Sequence, residues 1–220
     1  MTTSSCVADH HEAKSRTTQA KPMVFIVDDD VSFRGFLKSL IESAGWKSES
    51  FASAHEFLSR PRALVPSCLL LDVGLPDING LDVQQRLAGR NDMPIIFITG
   101  HADVAVTVRA MKAGAAEFLT KPCKCDVLLE AVALAVEQST AALGQEAEMQ
   151  ALRGRYAALS RREREVMGLV VAGRLNKQVG SELGISEITV KAHRGKMMRK
   201  MNARSLPDLV TMAARLGVRR

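Results

Sequence analysis

Five short β-like runs separated by helical patterns limit the fold of this chain more than any other feature: MVFIV (23–27), WKSESF (46–51), CLLLDV (68–73), PIIFITG (94–100) and AEFLT (116–120). Runs of this length between turn residues read as strands. The stretches between them are helical, and the first places Phe33, Phe36, Leu37, Leu40 and Ile41 on one face before Gly45 ends it. Strands alternating with helices in this order define an α/β domain with a parallel sheet covered by helices on both faces. Ligands of such sheets bind beyond the carboxyl ends of the strands. The chemistry is therefore to be sought where each run stops.

The first run stops at three neighbouring carboxylates, Asp28, Asp29 and Asp30. Like charges placed so close oppose one another's ionisation, so the arrangement calls for a cation. Asp72 ends the third run, Thr99 ends the fourth and Lys121 follows the fifth, and a parallel sheet brings all of them to one edge. Carboxylates converging with a lysine make a hard-oxygen site suited to Mg²⁺, which takes a couple of carboxylates together with water and phosphate oxygens. Asp30 has a second reading as the cap of the following helix.

Charge divides the chain. Residues 151–220 hold 16 Lys and Arg against 5 Asp and Glu, a net of +11, whereas residues 1–150 hold 14 against 19, a net of −5. An acidic front and a basic back indicate two domains, the second with a polyanionic partner. The 46% hydrophobic content supplies apolar residues for a core in each. Between them QSTAALGQEAEMQALRGRY is polar and Ala-rich, a helical or loosely ordered linker. Four short helices follow: Ser160 and Glu163 form a capping-box pattern, and Asn176, Ser186 and Ser205 are the expected caps of the next three.

The strand-end residues resemble the receiver domain of two-component response regulators, the CheY-like (βα)5 fold, over about residues 21–138. The resemblance implies that Asp72, in LLLDVGLP, is a phosphoacceptor. It makes Asp28 and Asp29 the Mg²⁺ carboxylates, with Asp72 itself and the Gly74 carbonyl as further ligands. Thr99 and Lys121 take the places of residues that contact the phosphoryl group, Lys121-Pro122 is expected to be cis, and Phe118 stands where the family has an aromatic switch residue. Lys121 as a surface lysine and Phe118 as plain core are the competing readings. TGHADVAVTVRAMKAGAAEFLTKP (99–122) is similar to the FixJ branch, and its Val104, Val108 and Met111 fit either a core or an interface. A sensor histidine kinase is the implied donor, and the face that switches is commonly a dimer surface in this family.

Residues 159–217 resemble the LuxR-type helix-turn-helix domain of the FixJ/NarL regulators, carried by LSRREREVMGLVVAGRLNKQVGSELGISEITVKAHRGKMMRKM. The implied core helices are 176–183 and 187–201, joined by Gly184 and Ile185, with the second lying in the major groove of double-stranded DNA. Ile188, Met197, Met198 and Met201 recur at helical intervals and are expected to face the core. Lys191 is the expected base reader, because lysine donates to guanine O6 and N7, and Ala192 suits a thymine methyl. Ser186 joins the DNA-binding set, and Lys177, Thr189, Arg194 and Lys196 are assigned to phosphates. Arg199 and Lys200 read as a solvated face. Gly195 departs from NarL-like members, which carry a second basic reader there. Helix-turn-helix modules usually read paired half-sites as dimers, and RNA polymerase is a further implied partner.

These expectations describe a cytoplasmic regulator rather than an enzyme. No apolar run approaches a membrane span of about 20 residues, and residues 1–20 read as a polar, disordered tail without a signal-peptide core. The four cysteines lack CxxC spacing, and a metal role for Cys6 with His10 and His11 is weaker than a solvated tail. The domain limits expected are 21–138, 139–158 for the linker and 159–220. A Mg²⁺-dependent aspartyl phosphotransferase or phosphatase is the competing enzyme reading, but it calls for an acid two residues after the nucleophile, where this chain has Gly74. A phosphorylation-independent DNA-binding protein is the third reading, and retention of every expected site residue speaks against it.

Overall fold

The computed structural model describes residues 21–62, 64–100 and 103–218; the tail with Cys6, His10 and His11 lies outside them. Two compact units divide between residues 140 and 141. In the first unit β1 (Met23–Val27), β2 (Lys47–Phe51), β3 (Ser67–Leu71), β4 (Ile95–Thr99) and β5 (Glu117–Thr120) form one sheet in the order β2-β1-β3-β4-β5. Every pairing is parallel. The helices of this unit are α1 (Val31–Ser43), α2 (Ala54–Leu58), α3 (Gly80–Arg86), α4 (Val104–Lys112) and the start of α5 (Cys125–Ala157).

Alternation along the strands builds two cores. Phe25, Val27, Leu69, Leu71, Ile95 and Phe97 pack on one face with Phe57, Leu81, Val83 and Ala110 of α2, α3 and α4. Val24, Ile26, Cys68, Leu70, Ile96 and Ile98 pack on the other with Leu37 and Ile41 of α1 and Leu128, Val132 and Ala135 of α5. Successive strand side chains point to opposite faces, so both faces of the central strands are apolar and need covering. α1 follows the expected stripe except at Phe36, which is 45% exposed and rests against Phe33, with ring centroids 6.0 Å apart.

The stretch read as a linker is helical: α5 runs without a break to Ala157. It is also the one helix among the described residues long and apolar enough to cross a membrane, against the expectation that no such stretch exists. Leu128, Val132, Ala135 and Val136 give part of that apolar content to the core beside the sheet. Ser139 ties the helix down, since its hydroxyl accepts from the Ser67 amide at 2.8 Å and donates to the Asp92 carbonyl.

The second unit contains α6 (Arg161–Val171), α7 (Asn176–Leu183), α8 (Glu187–Met201) and α9 (Leu206–Arg215) around Val166, Met167, Val170, Val179, Val190, Met197, Met201 and Leu209. Ser160 and Glu163 form the expected capping box. α7 meets α8 so closely that a Cβ on Gly180 would lie 2.7 Å from the Ile185 carbonyl oxygen, and Gly184 closes the turn with φ +66°. Asn176 does not cap α7. Leu175 occupies the cap position, and its amide donates to Gln178 Oε1 at 2.9 Å.

Lys200 corrects a second reading. Its ammonium donates to Glu163 Oε2 at 2.7 Å and to the Ala158 carbonyl at 3.1 Å, pinning the end of α8 to the start of α6. The Lys200 hydrogen bond, then the Ser160 amide, holds the Glu163 carboxyl below its ordinary value of 4.5. A carboxyl whose folded value is depressed contributes stability above its unfolded value and loses it as pH falls through the folded one. Glu163→Gln is therefore expected to destabilise the helical unit by about 2 kcal/mol at pH 7, the scale of a charged hydrogen bond. In urea denaturation the gap from the parent chain should narrow as pH is lowered below 4.5.

Candidate functional site

The three carboxylates after β1 have three different environments. Asp30 caps α1, its Oδ1 accepting from the Ser32 and Phe33 amides at 2.8 and 3.1 Å. Those bonds, Phe33 first, hold its carboxyl below the usual range. Asp28 is buried, accepts from the Asp30 amide at 3.0 Å through Oδ1, and takes the Lys121 ammonium on Oδ2 at 2.6 Å. Asp29 is exposed. Oxygens of Asp28, Asp29 and Asp72 lie within 4.8 Å of one another.

Asp72 follows β3 and is 8% exposed. Its amide donates to the Val27 carbonyl at 2.9 Å, which aligns the ends of β1 and β3. Its Oδ1 accepts from the Gly74 amide at 3.1 Å and its Oδ2 from Lys121 at 2.8 Å. One ammonium thus bridges two carboxylates from strands far apart in sequence. Burial drives the Asp28 carboxyl up more strongly than Lys121 draws it down, with the Asp72 charge adding to the rise. For Lys121 burial alone would lower the value, but its hydrogen bonds to Asp28 and Asp72 together raise it. The ion pair is therefore a charged one on the lysine side.

Lys121 is placed by backbone as much as by charge. Its amide donates to the Thr99 carbonyl at 2.8 Å, the bond to Pro122 is cis, and its ammonium sits 4.3 Å from the Phe33 ring centroid. Thr99 is buried at the end of β4, paired with Thr120. Phe118 is half-buried with its ring 5.9 Å from that of Phe97. Sequence reading missed Arg34, whose Nη1 donates to the Asp28 carbonyl at 2.6 Å and holds the acidic loop against α1. An arginine one turn into an amphipathic helix gives no signal of such a contact. Three carboxylates against one ammonium leave the cluster two positive charges short of neutrality. Together with their hard oxygens, this donor set fits a divalent cation.

The loop after Asp72 has little room to move. A Cβ on Gly80 would stand 2.4 Å from the Asp72 carbonyl oxygen and 2.9 Å from Val73 Cα, whereas one on Gly74 would meet nothing closer than Asp72 Oδ1 at 4.0 Å. Gly80→Ala is expected to displace the Asp72 segment and destabilise this unit by about 2 kcal/mol. Gly74→Ala should be far milder, and urea midpoints of the two variants make the comparison.

In the second unit α8 presents Lys191, Ala192 and Lys196 to solvent, with Lys177 exposed on α7. Ser186 caps α8, accepting from the Thr189 amide at 3.1 Å and sharing a hydrogen bond with its hydroxyl at 2.8 Å. Lys191 pairs with Glu187 at 3.1 Å. Arg194 is half-buried and donates to Asn176 Oδ1 at 3.1 Å, so it joins α7 to α8. Met197 and Met201 are buried as expected and Met198 partly so, but Ile188 is 80% exposed and Val190 takes the inward place. About 200° of helix separate residues two apart, so both cannot face the core.

Residues 24–133 match the family described as response regulator receiver domain, and residues 157–213 match that described as bacterial regulatory proteins, luxR family. Nodulation protein W of Bradyrhizobium diazoefficiens is 48% identical over 90% of this chain and 88% of its own. The transcriptional regulatory protein FixJ of the same organism is 38% identical over 90% of this chain and 97% of its own. The solved structure of the response regulator StyR aligns with a TM-score of 0.80 and 42% identity over 89% of this chain and 99% of that one.

A parallel five-stranded receiver with an acidic strand-end cluster, followed by a helix-turn-helix unit, defines a regulator that couples signal input to DNA. The chain belongs to the response regulators with a LuxR-type DNA-binding domain, relatives of FixJ. Membership implies a sensor kinase upstream and DNA downstream.

Proposed function

We propose that this protein is a cytoplasmic transcriptional regulator switched by phosphorylation of Asp72. The observation that carries the proposal is the Lys121 ammonium held between Asp28 and Asp72 inside a cluster of three carboxylates. A carboxylate oxygen of Asp72 attacks phosphorus in line as the bond to the donor breaks, and the electron pair leaves with the donor, a sensor kinase phosphohistidine. Asp28, Asp29, Asp72 and the Gly74 carbonyl would hold Mg²⁺, which when bound neutralises charge on the phosphoryl oxygens. Lys121 contributes a further fixed positive charge at the same place.

The resulting acyl phosphate offers new acceptor oxygens. Thr99 answers them with its hydroxyl, and Phe118, now against Phe97, follows into the space behind. The face of α4 and β5 changes with it. Val104, Val108 and Met111 are 78%, 44% and 42% exposed, which favours an interface over a core role and fits a dimer formed on phosphorylation. Two joined copies would place two α8 helices on paired half-sites of DNA and gain affinity through the double anchor. RNA polymerase is the partner such a bound dimer would engage.

Two measurements test these roles. Incubation with a ³²P-labelled small acyl phosphate and Mg²⁺ is expected to label the parent chain, while Asp72→Asn, or chelation of the metal, abolishes the label. Persistent labelling of Asp72→Asn would remove the phosphoacceptor from the site proposed. For DNA, Lys191→Ala is expected to lose about 1–3 kcal/mol of discrimination at one base pair per half-site. Lys177→Ala should weaken all duplexes alike and lower the salt slope by about 1. Fluorescence anisotropy titrations over a series of salt concentrations distinguish the two.

A further inference from the structure

α8 carries a solvent-facing stripe whose chemistry the lysines do not account for. Taking Val190 as the inward direction, Ile188, Lys191, Ala192, Gly195 and Arg199 fall within about 100° of arc on the opposite side at the 3.6-residue repeat. All five are exposed. Ile188 is the most exposed of the large hydrophobic residues of the described chain at 80%. It stands in the first turn of α8, one turn before Lys191 and Ala192. Ala192 and Gly195 keep the middle of the stripe low, and a Cβ on Gly195 would meet nothing within 4 Å. The stripe is therefore an apolar tip and a flat centre flanked by cations, in a stretch, residues 151–220, that carries a net +11.

A single exposed isoleucine is ordinary on protein surfaces. Here its position gives it a partner. The N-terminal turn of the second helix is the part of a helix-turn-helix that meets base edges, and the major groove offers one apolar group, the 5-methyl of thymine. An isoleucine cannot pair with phosphate or accept from a base, so a polar reader at this position is excluded. We infer that Ile188 is a specificity-determining residue that packs on a thymine methyl beside the base read by Lys191. The inference rests on the proposed placement of α8 in the major groove.

The test uses the full-length phosphorylated protein and half-sites selected from a randomised duplex library. Each thymine is then replaced by uracil, which removes only the methyl. One position per half-site is expected at which uracil weakens parent binding by about fivefold, the scale of one buried methyl contact. Ile188→Ala should bind the thymine duplex about fivefold less tightly and show no further loss with uracil at that position, while Ile188→Val restores most of the uracil penalty. Because Ile188 makes no core contact, circular dichroism melts of both variants should match the parent. A uracil penalty that survives Ile188→Ala unchanged, or the absence of any uracil-sensitive thymine, overturns the inference. Lys191→Ala should keep the uracil penalty while losing discrimination at its own base pair; a penalty kept with no change at any other base pair would sink the lysine contact and leave the Ile188 inference standing.

Discussion

The ammonium of Lys121 is the one group on which the receiver site depends, because it offsets a charge problem that the fold itself creates. A parallel sheet ends its strands at one edge, and here two of those ends bring buried carboxylates, Asp28 and Asp72, to a single place. Without an opposing charge, burial and then the neighbouring Asp72 would drive the Asp28 carboxyl still further toward the neutral acid. Contacts of 2.6 and 2.8 Å to one nitrogen hold both as acceptors. The Lys121 backbone is fixed by its amide hydrogen bond to the Thr99 carbonyl, and its ammonium rests over the Phe33 ring. Losing one partner of such a group costs more than the pair contributes, since the remaining charge stays buried. The site is accordingly both poised and unforgiving.

Much of this was legible from residue order, because strand-end positions follow directly from where apolar runs stop. Asp28, Asp72, Thr99 and Lys121 could be assigned to one sheet edge without coordinates, and the order β2-β1-β3-β4-β5 makes their strands neighbours. Helix faces were less legible. α8 contains Ile188 and Val190 two residues apart, and only Val190 shares the face of Met197 and Met201 at i, i+7 and i+11, so an inward Ile188 sets the wrong phase for the helix. Packing against α6 and α7 decides it for Val190. Phe36 was assigned inward on spacing, yet Leu37 and Ile41 already fill the line beneath α1.

Polar groups were misread for a different reason. Asn176 is a good capping residue by type, but Arg194 claims its side-chain oxygen, and Gln178 serves the cap position from the other side. Lys200 looked like a solvated charge because its partner, Glu163, is 37 residues away in the chain. Contacts of this kind exist only once the helices have met, so local propensity cannot announce them. The expected linker shows the converse: a polar, Ala-rich stretch has high helix propensity, and α5 continues through it.

The two units use charge in opposite ways, and the difference explains how the second can remain available to DNA. In the receiver, Lys121, Asp28 and Asp72 are largely buried and locked together. On α8 the Lys191–Glu187 pair lies at the surface, with side chains 64% and 47% exposed. Exposed pairs of this type contribute only about 0–1 kcal/mol, so releasing Lys191 toward a base edge costs little. Glu187 then remains in the first turn of α8, where the helix dipole favours a negative charge. The same carboxylate would stand close to an incoming phosphate backbone and repel it. On the proposed placement of α8, affinity would come from cations elsewhere, among them Lys196 on α8 and Lys177 on α7, while Lys191 would be left to discriminate among bases.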